Sequence, residues 1–270
     1  MKVNVIIRVY NRVEDLRVCL ECVRRLWPRN EYHVIVAFNG KAAGFSLPED
    51  AREMSDEIIE IAGNAGHHSG NSQLLLAGIE RADDKAPYTV LLEADTWVLS
   101  DRIIDKYIRR LQSEGAVWAS ADWVEKVHSV ALDFAVADTK FLKNNLEAFD
   151  FDENKGPESA VCRYMRSRGM KHLFLKEAMP VHIPKLMGLV YRPAGGGRRK
   201  SFSEVPMVTQ HIEDVPRGIM GKKTLANIAA GSKISSDAPP AFLALRRLRL
   251  KAFESILKTC PRSAWFKAKK

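Results

Sequence analysis

Tyr88-Thr89-Val90-Leu91-Leu92-Glu93-Ala94-Asp95-Thr96-Trp97 is the stretch on which the fold turns. An apolar run entered from Pro87 reads as a buried strand. Its end carries two carboxylates with one small residue between them. Alternation along a strand puts positions i and i+2 on one side, so Glu93 and Asp95 are expected to point together. In open α/β sheets the crevice beyond the carboxyl ends of the strands is where ligands bind. Two convergent carboxylates are hard oxygen ligands, suited to Mg²⁺ or Mn²⁺ carrying a phosphorylated substrate. The plain structural alternative is a solvated strand end followed by a helix cap at Asp101.

Working outward, strand and helix patterns alternate. Strands are expected at 3–10 (interrupted by Arg8), 32–38, 57–61 and 89–92, and helices at 15–26, 49–55, 72–82 and 101–114. In the last of these Ile103, Ile104, Tyr107, Ile108 and Leu111 form one stripe. This alternation predicts an α/β fold with a mostly parallel, doubly wound sheet. The second half is less regular: strands at 116–121, 129–136 and 170–175, and a helix at 158–167 closed by Gly169. A glycine-rich basic loop at 194–200 includes Arg198, Arg199 and Lys200, which could close over a diphosphate or stay solvated. A linker composition at 235–240 precedes a basic amphipathic helix marked by Phe242, Leu245, Leu248, Phe253, Ile256 and Leu257.

With 270 residues the chain suits one domain with an appendage. No run of about 18 apolar residues occurs, and no signal-peptide pattern opens the chain, so a cytoplasmic location is expected. Cys19 and Cys22 form a C-x-x-C with no second pair at metal spacing, which favours two core positions on one helix face. The net charge of +9 is concentrated at the end: residues 241–270 hold nine Lys or Arg against one acid, Glu254. An apolar stripe flanked by cations suits an anionic membrane surface. Packing on the catalytic domain or binding a partner remains open for that helix. Nucleic acid is not an expected partner, since no binding module accompanies the charge.

Several motifs, in order, resemble the glycosyltransferases of family two with GT-A fold. Val3-Asn4-Val5-Ile6-Ile7-Arg8-Val9-Tyr10-Asn11-Arg12 is similar to the family's opening strand, V-S-V-I-I-P-x-Y-N-R, with Arg8 standing where that pattern has proline. Leu16, Cys19, Leu20 and Val23 match its first helix. Residues 34–40 resemble its second strand, with Asn39 where aspartate is common. Residues 64–71 resemble an N-x-G-x-x-x-G-N segment, and Glu93-Ala94-Asp95 stands in the place of the D-x-D, with glutamate as its first acid. Glu158, Arg163 and Gly169, followed by Pro180-Val181-His182, resemble E-x-D-L-x-x-R-L-x-x-x-G and x-V-x-H, with Ser159 after the glutamate.

The resemblance implies a GT-A (Rossmann-like) sheet flanked by helices, with a C-terminal helical extension. It divides the chain into a nucleotide-sugar half (1–115), an acceptor half (116–212) and a terminal extension (213–270). It implies an inverting glycosyltransferase using a nucleotide-diphospho-sugar and Mg²⁺ or Mn²⁺, acting on a glycan or lipid-linked acceptor. A peripheral position at the inner face of the membrane follows for such an acceptor. Asp95, Glu93 and His182 are the implied metal ligands, with Glu93 able to take the ribose instead and His211 competing with His182. Glu158 is the implied general base, with Asp152 and Glu153 as fallbacks. Val9, Asn11, Asn39, Asn64, Gly70 and Asn71, with Glu93 and Asp95, are the candidate donor-binding residues. Asn11 and Asn39 end the first two strands, where an amide can meet a nucleobase edge or simply turn the chain. His67 and His68 lie in the same glycine-containing loop. The alternatives are a GT-A-shaped protein that binds a nucleotide or partner without catalysis, and a nucleotidyltransferase on a similar sheet.

Overall fold

The computed structural model describes residues 1–122, 129–151, 156–175, 207–209, 211–215, 217–230, 234 and 237–259. Contacts divide the chain into two units: residues 1–96 with 101–175, and residues 97–100 with 176–270.

The first unit is built on a seven-stranded sheet. In chain order its strands are β1 (Lys2–Val9), β2 (Glu31–Phe38), β3 (Glu57–Glu60), β4 (Tyr88–Glu93), β6 (Trp118–Asp122), β7 (Val130–Asp138) and β8 (His172–Leu175), and β5 belongs to the second unit. Their spatial order is β3-β2-β1-β4-β7-β6-β8. The β1–β2, β1–β4, β2–β3 and β6–β8 pairs are parallel; β7 runs antiparallel to both β4 and β6. The sheet is thus mostly parallel, with one reversed strand where the first half of the chain meets the second. β1 is buried from Val3 to Val9, as expected of a central strand covered on both faces. Of its two buried polar residues, Asn4 and Arg8, Asn4 is satisfied: it donates to Asp83 O (3.1 Å) and Thr89 Oγ1 (3.3 Å) and accepts from Asp83 N (3.0 Å).

Helices α1 (Val13–Leu26), α3 (His67–Arg81) and α4 (Arg102–Glu114) cover the sheet, with a short α2 (Ala51–Met54). α1 turns Leu16, Cys19, Leu20, Cys22 and Val23 inward, so both cysteines are buried core positions. Its acids Glu14 and Asp15 lie in the first turn and Arg24 and Arg25 in the last, in line with the helix dipole. α3 starts five residues before the expected 72. Gly66, at φ 120°, makes the break, and Asn64 Oδ1 accepts the Gly66 N–H at 2.9 Å, which ends the loop early. α3 lies close on β1: a Cβ at Gly78 would overlap the Ile6 side chain. α4 closes at Gly115 (φ 60°).

One core cluster joins Ile6, Ile35, Leu75, Ile79 and Leu91 to Trp118, Phe141, Phe149, Phe151, Val161 and Met165. It lies among the sheet, α3, α5 (Thr139–Asn144), a 3-10 turn at Leu146–Phe149 and α6 (Pro157–Ser167). Trp118 stacks on Phe149 at 6.2 Å between ring centres. α5 opens on the N-cap Asp138, whose carboxylate accepts the Phe141 N–H at 2.8 Å, and burial of Phe141, Leu142 and Phe149 fixes α5 and the 3-10 turn.

The second unit holds a two-stranded ribbon, β5 (Trp97–Val98) with β9 (Met207–Val208), and helices α7 (Gly218–Ala230) and α8 (Pro240–Thr259). Lys222 of α7 is fully buried with its ammonium 4.3 Å from the centre of the Trp97 ring. Among the described residues no helix is long and apolar enough to cross a membrane.

Candidate active site

The site is read from the carboxyl ends of β1, β2 and β4. Register brings them level: Arg8 of β1 lies opposite Glu93 of β4, and Val9 lies opposite Phe38 of β2. The chain leaves β4 through a tight turn in which Thr96 N donates to Glu93 O at 2.9 Å, while Ala94 N donates back to Arg8 O at 3.0 Å. These bonds hold the acidic step against the end of β1. The Glu93 side chain is 40% exposed and that of Asp95 10%.

Each acid has an arginine beside it. Arg8 Nη2 stands 3.6 Å from Glu93 Oε1, and Arg12 Nε stands 4.0 Å from Asp95 Oδ2. Arg8 is buried along its length; it also donates to Asn71 Oδ1 on α3 and to the Leu132 carbonyl on β7. It therefore ties β1 to β7 across the end of β4. In the sequence Arg8 is a break in a strand and a substitute for proline, and Arg12 carries no role. The signal that finds them is strand register, which a single sequence does not carry.

The first two strand ends meet closely. A Cβ on Gly40 would overlap the Tyr10 carbonyl oxygen and come within 2.7 Å of the Phe38 ring, so only glycine fits between β2's exit and β1's. Val9 is buried, Asn11 is exposed, and Tyr10 meets Phe45 edge to face at 5.5 Å. The Asn39 side chain is enclosed; its amide donates to Gly70 O at 3.1 Å, linking β2 to the first turns of α3. Gly70 is pressed against Asn64, where a Cβ would overlap the amide oxygen. Val9, Asn11, Asn39, Gly70, Asn71, Glu93 and Asp95 are thus brought to one end of the sheet, with Asn64 at the entrance to α3. His67 and His68 occupy the first turn of α3, their rings 5.0 Å apart.

Glu158 lies in the first turn of α6 behind Pro157 at the helix start, half-buried. His211 is exposed at the start of a 3-10 turn in the second unit. His182, Asp152, Glu153 and the loop at 194–200 lie outside the described residues.

The glycosyl transferase family 2 model matches residues 4–172. This chain belongs to that family. The match spans both the acidic step and Glu158, and the mostly parallel sheet flanked by helices is the GT-A class. No curated protein matches the chain. Among solved structures, the mannosyltransferase PcManGT from Pyrobaculum calidifontis, in complex with GDP-Man and Mn²⁺, is similar at 11% identity and TM-score 0.49, over 97% of this chain and 77% of that one. TarS from S. aureus is similar at 11% identity and TM-score 0.46, over 98% of this chain and 45% of that one. The 4-diphosphocytidyl-2C-methyl-D-erythritol synthase from Anaerococcus prevotii is similar at 13% identity and TM-score 0.45, over 64% of this chain and 87% of that one. Membership of the family supports a nucleotide-sugar glycosyltransferase.

The residues present fit a small hard cation. Among the described residues no group of three or more His, Cys, Asp or Glu side chains is assembled to hold a metal. Mg²⁺ and its relatives do not need one, since one or two carboxylates and the substrate's phosphate oxygens complete the shell. Asp95, mostly buried at a strand end with Arg12 Nε 4.0 Å away, is a carboxylate of that kind.

Proposed function

We propose that the protein is an inverting glycosyltransferase that moves a sugar from a nucleotide-diphospho-sugar to a glycan or lipid-linked acceptor. The observation that carries this reading is the acidic step held at the end of β4, level with the end of β1, within a chain of glycosyl transferase family 2. Strand ends β1 and β2, with Asn11, Asn39 and the start of α3, would form the floor beneath the nucleoside. Asp95 would hold a divalent cation, Mg²⁺ or Mn²⁺, with His182 as the expected histidine ligand. When bound, such a cation neutralises charge on the departing diphosphate as a Lewis acid.

Glu158 would accept the proton of the acceptor hydroxyl. That oxygen then bonds to the anomeric carbon as the bond to the diphosphate oxygen breaks, and the nucleoside diphosphate leaves with the electron pair. One displacement at that carbon inverts its configuration. A carboxylate within hydrogen-bond reach of the hydroxyl is sufficient for this role. Residues 1–115 would then serve the donor and 116–212 the acceptor, with 213–270 as an extension.

The extension supports a peripheral position at the inner face of a membrane. On α8, Phe242, Leu245 and Leu248 are exposed at a spacing of three, among Arg246, Arg247, Arg249 and Lys251. Apolar anchors flanked by cations suit an anionic lipid surface.

The test is a thermal-shift panel of nucleoside diphosphates and nucleotide sugars with and without Mn²⁺, followed by turnover with each donor that binds. A ligand specific for the native state raises Tm by mass action. Turnover by an Asp95→Ala variant at the wild-type rate, or no turnover with any donor, would sink the reading.

A further inference from the structure

Two departures from the family pattern noted above, Arg8 for proline and Glu93 for aspartate, stand directly opposite each other in the β1–β4 register. Parallel partners in register project to the same face, so the two side chains are neighbours by construction. Arg8 carries a cationic guanidinium. It is also 3% exposed, and a buried charge is tolerated only when paired and hydrogen-bonded. Asn71 Oδ1 and the Leu132 carbonyl give it acceptors but no charge. The carboxylate that faces it is Glu93, at 3.6 Å.

We infer that Glu93 is the counter-ion of Arg8, a positioning residue, and that Asp95 alone is the carboxylate the acidic step offers to a donor's cation. The two substitutions are then halves of a single change, and Glu93 is held by a charge it cannot abandon. A cation placed on the same carboxylate would stand beside a guanidinium that burial holds in place, which like charge disfavours, whereas the guanidinium beside Asp95, that of Arg12, is 24% exposed. The assignment of Asp95 rests on the proposed function; the pairing of Arg8 with Glu93 does not.

The test is a four-point thermal cycle on the full chain: wild type, Arg8→Met, Glu93→Gln, and the double variant. Glu93→Gln leaves a buried cation unpaired and should lower Tm by about 4 °C or more. The double variant should regain most of that loss. Arg8→Gln, which keeps donors for Asn71 and Leu132 without the charge, replaces Arg8→Met if the latter does not fold. Additive losses would overturn the pairing. In parallel, the Mn²⁺ dependence of nucleoside diphosphate binding is measured by thermal shift. Glu93→Gln should retain it within about twofold, whereas Asp95→Asn should weaken it by about tenfold or more. Equal loss in both variants would overturn the assignment of roles. If no nucleoside diphosphate or Mn²⁺ shifts the wild type, the donor reading fails, and the cycle still decides the ion pair.

Discussion

Gly40→Ala tests whether the floor of the site depends on the contact between the ends of β1 and β2. The new Cβ would overlap the Tyr10 carbonyl oxygen, lie 3.0 Å from the Tyr10 carbonyl carbon and 2.7 Å from Phe38 Cε2. Two of these atoms are backbone and cannot rotate away. The third belongs to a ring that is 2% exposed and has nowhere to swing. Gly40 has φ −90° and ψ −5°, which alanine adopts freely, so the cost is steric and not conformational. Overpacking of this kind costs about 1–3 kcal/mol. Against it stands about 0.4–1 kcal/mol gained by restricting the unfolded chain. The net expectation is a destabilisation of about 1–2 kcal/mol, or roughly 2–8 °C in Tm for a chain of this size. Gly63→Ala is the control: nothing lies within 4 Å of a Cβ there, and the same entropy gain should leave Tm unchanged or slightly raised. The two variants are compared by thermal and urea unfolding, with nucleoside diphosphate binding as the second readout. A Gly40→Ala protein at least as stable as Gly63→Ala would show that the strand ends separate without penalty, and the claim that only glycine fits would be wrong.

Glu158→Gln should lower kcat by about 10²–10⁴-fold with little change in donor KM, as loss of a general base does; a kcat within about threefold of wild type removes Glu158 from that role. His172, at the sheet edge on β8, has its pKa pushed below its ordinary 6.5 chiefly by burial. Unfolding lets the ring take up a proton that the fold discourages, so its contribution is complete above pH 6.5 and declines as pH falls below that value. A His172→Gln variant should therefore show a shallower fall of Tm between about pH 7 and 5, and parallel curves would refute the linkage. Replacing Phe242, Leu245 and Leu248 by serine should abolish co-sedimentation with vesicles containing anionic lipid while leaving donor turnover in solution intact. Equal sedimentation of variant and wild type would place membrane contact elsewhere.

The sheet was legible because its strands are buried on both faces and therefore read as mainly apolar runs, as in 3–9, broken by Asn4 and Arg8, and 88–92, broken by Thr89. α4 was legible because its stripe of five buried residues repeats with the period of a helix. The reversed strand β7 was not: an apolar run such as 130–137 is compatible with either direction, and only pairing decides. The earlier start of α3 was hidden because glycine and histidine are weak helix formers, and the decisive features are the Gly66 backbone and the Asn64 turn. At the site, the acidic step and the two asparagines were visible by type. What they touch was not. Asn39 reads as a strand-end amide, yet its side chain is enclosed, its amide donated to Gly70 O and its Oδ1 buried with no hydrogen-bond partner. Arg8 reads as an interruption in a strand, yet it is the residue that holds Glu93, Asn71 and β7 together.

The two arginines of the site differ in a way that bears on the order of events. A nucleotide sugar brings negative charge, and a bare pair of carboxylates would repel it. Here each carboxylate has a guanidinium beside it, so the four charges at the strand ends balance before any cation arrives. Arg8 is locked in place by burial, while the Glu93 side chain that meets it is 40% exposed. Arg12 differs: its side chain is 24% exposed, and its Nε lies 4.0 Å from the Oδ2 of Asp95, whose side chain is 10% exposed. Arg12 is the more exposed of the two guanidiniums, so an incoming phosphate oxygen reaches it more readily than it reaches Arg8. The consequence is a division of labour within one short motif. Arg8 supplies a buried cation beside Glu93, and Arg12 a more accessible one beside Asp95. On the proposed function, the incoming diphosphate would draw Arg12 toward itself and release Asp95 to the cation that accompanies the donor.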